Sequence, residues 1–283
     1  MLGDKRVRRI GYGAMQLAGP GVFGPPRDRD EAIAVLRRAV ALGVDHIDTA
    51  QYYGPDVVNE LIRAALHPYP EGLRLVTKVG GRRDAEGAWL PAHRPEELRQ
   101  GVEDNLRTLG VERMDLVNLR EMDGEDAQDV PPLAERLGVL EDMRREGKLD
   151  LIGISSVTRA QAEAALELVA VASVQNAYSI VDRSSEDLLD LCRERDLAFV
   201  PFFPLGSAFT GGPARLAADP AIARVSAKHV ITPTQTALAW LLHRDRRILL
   251  IPGTATVAHL EENLAAGDIR LDAEDLATLD AVA

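Results

Sequence analysis

Residues 95–119 read PEELRQGVEDNLRTLGVERMDLVNL, and they decide the fold class. The apolar residues Leu98, Val102, Leu106 and Leu109 recur at helical spacing, so 95–109 predicts an amphipathic helix that stops at Gly110. MDLVNL (114–119) is a short apolar run of strand length. The same unit recurs on both sides. Before it come RRIGYGAMQL (8–17), a helix near 30–42, VDHID (44–48), a helix over 56–66 and LRLVTKV (73–79). After it come a helix over 132–146, LDLIGI (149–154), a helix over 158–168, VASVQNA (171–177), a helix over 185–195 and LAFVPF (197–202). A helix over 233–243, RRILLIP (246–252) and a helix over 256–266 complete the series. Strands that alternate with helices pair in parallel through right-handed crossovers. About eight such units, with no break in composition, predict a single (β/α)8 barrel domain over 1–283 rather than an open sheet.

Two connections are long, 80–94 and 204–232, and long connections in compact domains usually serve function. The polar residues of the strands gather at their C-terminal ends: Asp48, Lys78, Asn118, Arg120, Ser155, Gln175 and Asn176. Barrel enzymes carry their sites at that rim.

Composition narrows the functional classes. The 283 residues include 33 Lys and Arg against 44 Asp and Glu, a formal charge of −11, which argues against a nucleic-acid or acidic-membrane partner. No apolar run reaches the ~20 residues that cross a bilayer, and no targeting segment is recognisable at the start, so the expected compartment is the cytoplasm. The single cysteine, Cys192, lies in a helical stretch and reads as a buried structural thiol. The histidines at 46, 67, 93, 229, 243 and 259 form no metal-ligand spacing, which disfavours a metal-dependent barrel hydrolase. Nothing in the sequence specifies an oligomeric state.

HIDTAQYYGPDVVNEL (46–61) carries the chemistry. Asp48 ends a strand, Tyr53 follows in the loop, and the next strand ends in Thr77-Lys78. In a barrel these ends converge, and the three side chains make a proton donor. A phenol with a pKa near ~10 is a poor acid at neutral pH. An adjacent ammonium lowers it, and a carboxylate orients the ammonium. Each residue alone also has an ordinary structural role, as helix cap, loop anchor or solvated lysine. Their order and common rim argue for the joint role.

At these residues the chain resembles the aldo-keto reductases over essentially its whole length. IDTAQYYG resembles that family's Asp-Thr-Ala-x-x-Tyr-Gly segment, and Thr77-Lys78 its Thr-Lys strand end. Gly153-Ile154-Ser155-Ser156 resembles Gly-x-Ser-Asn, with Ser in the last place. Gln175-Asn176 with Tyr178 resembles the strand that contacts nicotinamide, Phe203-Pro204-Leu205-Gly206 the Ser-Pro-Leu-Gly loop, and Ile251-Pro252-Gly253-Thr254 through Glu262-Asn263 the adenosine-phosphate site. The resemblance implies a (β/α)8 barrel, a nicotinamide cofactor and reduction of a small aldehyde or oxidation of an alcohol. Its implied catalytic residues are Tyr53, Lys78, Asp48 and Arg120. Its implied cofactor contacts are Ser155, Gln175, Asn176, Leu205, Gly206, Ser207, Gly253, Thr254, Thr256, His259, Glu262 and Asn263. Met15, Tyr52, Trp89, Asn118 and Phe209 are the expected substrate-pocket residues, and no metal is expected.

Arg120 departs from the family, which usually has His there. The Asn118-Leu119-Arg120 variant, with residues 11–26, resembles the bacterial branch that includes pyridoxal reductases. Arginine cannot shuttle a proton. It can hydrogen-bond the substrate oxygen and stabilise developing negative charge. The other reading pairs Arg120 with Glu121 or Asp123, facing away. NADPH is the expected cofactor by resemblance, NADH not being excluded, because Ala255 stands where a basic residue is frequent and His259 is the nearest basic side chain. A second expectation is an NADP-binding regulator with weak redox activity, similar to the potassium-channel beta subunits of the same family.

Overall fold

The computed structural model describes residues 1–122, 130–207 and 211–282. The elements follow the predicted alternation: β1 (Tyr12–Gly13), α1 (Arg29–Ala41), β2 (His46–Asp48), α2 (Val57–Leu66) and β3 (Arg74–Val79). A hairpin, β4 (Gly81–Arg83) and β5 (Trp89–Pro91), precedes α3 (Pro95–Leu109) and β6 (Met114–Arg120). There follow α4 (Leu133–Arg145), β7 (Leu149–Ser155), α5 (Arg159–Leu168), β8 (Val171–Gln175), α6 (Glu186–Arg195) and β9 (Ala198–Phe199). The chain ends through α7 (Gly212–Ala218), α8 (Pro220–His229), α9 (Pro233–Arg244), α10 (Val257–Ala265) and α11 (Ala273–Asp280).

Seven strands pair in the order β1-β2-β3-β6-β7-β8-β9, all in parallel. The segment 248–251 closes the ring by single parallel bridges, Ile248 to Phe199 on one side and Leu250 to Ile10 on the other. Gly11 N–H donates to Leu250 O and Leu250 N–H to Arg9 O, both at 2.8 Å. The product is the predicted (β/α)8 barrel, with its eighth strand reduced to those bridges.

Strand alternation sorts the core. Ile47, Leu75, Val117, Leu119, Ile154 and Leu250 face outward, into the layer between strands and helices. Val76, Leu116, Ala198, Val200, Leu249 and Ile251 face inward, and Leu2 of the N-terminal segment packs with them. Helix ends follow local chemistry. Gly110, at φ +69, lets its N–H close α3 on Leu106 O, a left-handed geometry that costs glycine nothing. Cys192 is buried, and burial pushes its thiol up to about 12.

Two expectations need correction. Residues 204–232 contain α7 and α8. Pro220 stands at the first turn of α8, where proline is tolerated, and Asp219 caps it by accepting from Ala221 N at 2.9 Å and Ile222 N at 3.1 Å. Gly211, Gly212, Pro213 and Pro220 therefore begin helices instead of breaking them. Residues 80–94 fold back as the β4–β5 hairpin, in antiparallel register from Gly81↔Pro91 to Arg83↔Trp89.

Candidate active site

Register sets the rim. Lys78 pairs with Asn118, Arg120 with Ser155, and Ser155 with Gln175, so β3, β6, β7 and β8 end at a common level. There Lys78 Nζ lies 2.5 Å from Asp48 Oδ1 and donates to Thr49 O at 2.9 Å. Gln175 Nε2 donates to the other carboxylate oxygen of Asp48 at 2.9 Å. Both charged residues are buried. A buried ion pair repays its desolvation only when its remaining lone pairs and protons are also bonded, and here Thr49 and Gln175 take up that bonding.

The Tyr53 ring sits over this pair, with Lys78 Nζ 5.1 Å from its centroid. Burial pushes the Tyr53 phenol upward, Asp48 adds to that, and Arg120 opposes it. The net direction is upward, opposite to the lowering expected from the lysine. The phenol therefore keeps its proton at neutral pH.

Arg120 does not pair with Glu121, whose carboxylate lies 2.5 Å from Arg136 Nη1. Asp123 lies outside the described residues. The Arg120 guanidinium is 5.1 Å from the ring centroid of Phe202 and pulls down the phenols of both Tyr52 and Tyr53. Its side chain thus shares the mouth with the two tyrosines. Phe202 was not expected from sequence, because an aromatic residue in an apolar run carries no mark of its facing. Its pairing with Ala177 at the end of β8 is a tertiary fact.

The hairpin stands over the mouth. Trp89 packs edge-on to Tyr52 and Tyr53, at 5.7 and 6.4 Å between centroids. Arg83 stacks on Trp89 at 4.0 Å and on Phe23 at 5.4 Å, and donates to Val22 O at 3.0 Å and Gly21 O at 2.9 Å. Both arginines of the hairpin have partners. Arg82 approaches Glu97 at 3.9 Å, and Arg83 clamps the hairpin to the loop after β1. Met15, in that same loop, is half-buried against the core.

Of the expected pocket residues, Phe209 lies outside the described residues. Asn118 is fully buried, with Nδ2 on Thr77 O at 3.3 Å and Oδ1 receiving Ser173 Oγ at 3.5 Å. It spends its amide inside the barrel instead of on the pocket. Gly153 faces it, and a Cβ there would come within 2.1 Å of Asn118 Oδ1. Asn176 likewise bonds Val157 through both ends of its amide, at 2.9 and 3.1 Å. Its amide is thus engaged with the backbone after β7.

Other polar atoms at the rim are unpartnered. Ser155 Oγ, Gln175 Oε1, Tyr52 Oη and Arg120 Nε are buried without a hydrogen-bond partner among the described residues. Buried polar atoms without partners are costly, and at this rim a ligand can complete their bonding. A hydroxyl next to an amide oxygen can donate to the C=O and accept from the N–H of a carboxamide, so the donor set fits a nicotinamide.

The other residues expected to contact a cofactor line the β9 and α10 ends. Leu205, Gly206 and Ser207 form a half-buried turn in which Gly206 N donates to Phe203 O at 2.8 Å. Gly253 meets β1 so closely that a Cβ would lie 2.7 Å from Gly13 O. Thr256 caps α10 by accepting from His259 N at 3.4 Å, and Thr254 Oγ1 accepts from Thr256 N at 3.2 Å. Glu31 of α1 accepts from Val257 N at 3.0 Å, placing a carboxylate at the α10 N-terminus. His259 is exposed and Asn263 buried, while Glu262 faces the α9 cap, accepting from Thr232 Oγ1 at 2.6 Å. Among the described residues no group of three or more His, Cys, Asp or Glu is arranged to hold a metal, and no helix is long and apolar enough to cross a membrane.

A closed parallel barrel whose rim joins a buried Asp–Lys pair, an overlying tyrosine and unpaired amide and hydroxyl groups defines the class: the chain belongs to the aldo/keto reductase family, whose model matches residues 9–283. Within that family it is 50% identical over 282 residues to pyridoxine 4-dehydrogenase of Escherichia coli (strain K12), covering 99% of this chain and 96% of that protein. It is 37% identical to an uncharacterised oxidoreductase of Schizosaccharomyces pombe, over 99% of this chain and 88% of the relative. Among solved structures, an aldo/keto reductase from Klebsiella pneumoniae in complex with NADP and acetate superposes with a TM-score of 0.78 at 28% identity, covering 97% of this chain and 90% of that one. A thermostable aldo-keto reductase bound to the inhibitor epalrestat gives a TM-score of 0.83 at 27% identity, over 100% and 98% of the two chains.

Proposed function

We propose that this protein reduces a small aldehyde, pyridoxal first among the candidates, to the corresponding alcohol with NADPH, and that Tyr53 is the general acid. The single observation that carries the reading is the buried Asp48–Lys78 pair beneath the Tyr53 ring. The unpaired Ser155 and Gln175 atoms beside it fit the cofactor's amide.

When bound, the nicotinamide supplies a hydride to the carbonyl carbon. Tyr53 gives its phenolic proton to the carbonyl oxygen, so the C=O becomes CH–OH and the proton lost from Tyr53 is restored from water. Lys78, with its ammonium beside the Tyr53 ring, stabilises the negative charge that develops on the phenol, while Asp48, itself held by Gln175, keeps the ammonium in place. Arg120 is assigned an electrostatic role, because a guanidinium cannot release its proton but can donate to the same oxygen. Trp89, Tyr52 and Phe202 offer flat apolar walls that suit an aromatic aldehyde.

The name of the bacterial relative and the NADP seen with the Klebsiella enzyme support this substrate and cofactor. The test is turnover of pyridoxal and of a panel of aliphatic and aromatic aldehydes with NADPH and with NADH. Saturable NADPH binding without turnover of any aldehyde would instead favour the regulatory reading. Replacing Arg120 by Ala is expected to lower kcat by about 10²–10³-fold, as for loss of a preorganised oxyanion donor. An unchanged kcat would make the arginine structural.

The Glu31 carboxylate gives a further expectation. A 2′-phosphate at the α10 N-terminus would feel it as a like charge, about 1 kcal/mol for a partly solvated pair. Glu31→Gln should therefore tighten NADPH over NADH by about fivefold in a fluorescence titration. An unaltered ratio would mean that the phosphate binds elsewhere.

A further inference from the structure

Behind the catalytic rim, on the outer face of the barrel, lies a chain of buried polar side chains with no part in the chemistry above. Thr49 Oγ1 donates to Asn59 Oδ1 at 2.8 Å. Asn59 Nδ2 donates to Asn105 Oδ1 at 2.9 Å and to Thr108 Oγ1 at 3.0 Å. Thr77 Oγ1 donates to the same Asn105 Oδ1 at 2.6 Å, and Asn105 Nδ2 donates to Gly101 O at 2.7 Å. Thr49, Asn59, Thr77 and Asn105 are fully buried, and Thr108 is 3% exposed.

The ends of this chain are the sequence neighbours of the reacting pair. Thr49 follows Asp48 and Thr77 precedes Lys78. Alternation along β3 turns Thr77 outward when Lys78 turns inward. Lys78 Nζ, inside, donates to the carbonyl of Thr49, whose hydroxyl is held outside by Asn59. The bonds thus close a ring: Lys78 to Thr49, Thr49 to Asn59, Asn59 to Asn105, Asn105 to Thr77, and Thr77 through the backbone to Lys78. Thr49 N also donates to Val76 O at 2.8 Å, joining β2 to β3 within the ring.

The core between sheet and helices is otherwise built largely of apolar side chains, Ile, Leu, Val and Ala foremost. Burying two carboxamides and three hydroxyls there costs free energy that only complete bonding offsets, and aliphatic side chains would hold α2 and α3 on the barrel without that cost. We propose that Asn59 and Asn105 are positioning residues: by tying Thr49 to Thr77 they fix the β2 and β3 ends so that the Lys78 ammonium stays under the Tyr53 phenol. This rests on the reading of Tyr53 as the acid.

The test uses isosteric changes that spare the fold. Thr77→Val removes the hydroxyl at constant shape, Thr77→Ser retains it, and Asn59→Leu removes the central link. Thr77→Val and Asn59→Leu should lower kcat by about 10- to 100-fold, the scale of a small misplacement of a catalytic group. KM for aldehyde and Kd for NADPH should be unchanged, and Thr77→Ser should keep near-native kcat. Introduced into Tyr53→Phe, Thr77→Val should lower kcat no further. Equal kcat for the Val and Ser variants, or losses that follow melting temperature alone, would overturn the proposal. If Tyr53→Phe by itself leaves turnover intact, the acid assignment fails separately, whatever the threonine variants do.

Discussion

Tyr53→Phe should lower kcat for aldehyde reduction by about 10²–10⁴-fold, the contribution usual for a positioned general acid, and leave NADPH affinity as it was. The substitution deletes one hydroxyl and keeps the ring that packs against Tyr52 and Trp89, so the pocket walls remain. Stopped-flow oxidation of NADPH measures the chemical step directly, and a rate within threefold of wild type would remove Tyr53 as the proton source. The pH dependence supplies an independent check. Reduction needs the protonated phenol, so the rate falls as pH rises through the phenol's pKa. Burial, then Asp48, raise that pKa, so no loss of rate attributable to Tyr53 should occur below the ordinary phenol value near ~10. Arg120 pulls the other way, and Arg120→Ala should shift any alkaline limb further upward.

Lys78→Met should cost both activity and stability. It leaves the Asp48 carboxylate buried with Gln175 Nε2 as its remaining side-chain donor, and stranding one member of a buried pair costs about 3–5 kcal/mol. Urea denaturation followed by far-ultraviolet circular dichroism reads that loss. The double variant Asp48→Leu with Lys78→Met separates the two effects. Replacing a buried pair by apolar groups of similar size is often neutral, so stability should largely return while reduction stays absent. A double variant as unstable as the single one would mean that the pair holds the rim for reasons beyond its own charges. Recovery of turnover would mean that neither residue serves the chemistry.

The legible part of this site is the part written in short spacings. Asp48 and Tyr53 are five residues apart, and Thr77-Lys78 ends the next strand, so barrel geometry alone brings them together. Ser155 and Gln175 are strand-end residues of adjacent strands and were expected at the rim for that reason. Asn118 and Asn176 met the same criterion, yet both spend their amides on the barrel itself, because a side chain's bonding depends on neighbours contributed by other strands. The clamp made by Arg83 could not be read, since two of its acceptors, Val22 and Gly21, lie some sixty residues away. Glu31 at the α10 N-terminus and the Asn59–Asn105 link are contacts of the same kind. α7 and α8 were missed because glycine and proline carry opposite meanings at a helix start and in a helix interior.

Periodicity and strand-end polarity by themselves determined the alternation of strands and helices, the count that closes a barrel, and the rim at which Asp48, Tyr53 and Lys78 meet. These depend on intervals of a few residues, where backbone geometry dictates facing. Only the tertiary structure decided that Arg120 turns into the mouth, that the Tyr53 phenol is raised instead of lowered, and which polar groups are left for a ligand. Those outcomes depend on burial and on partners brought from distant segments, which no local spacing encodes.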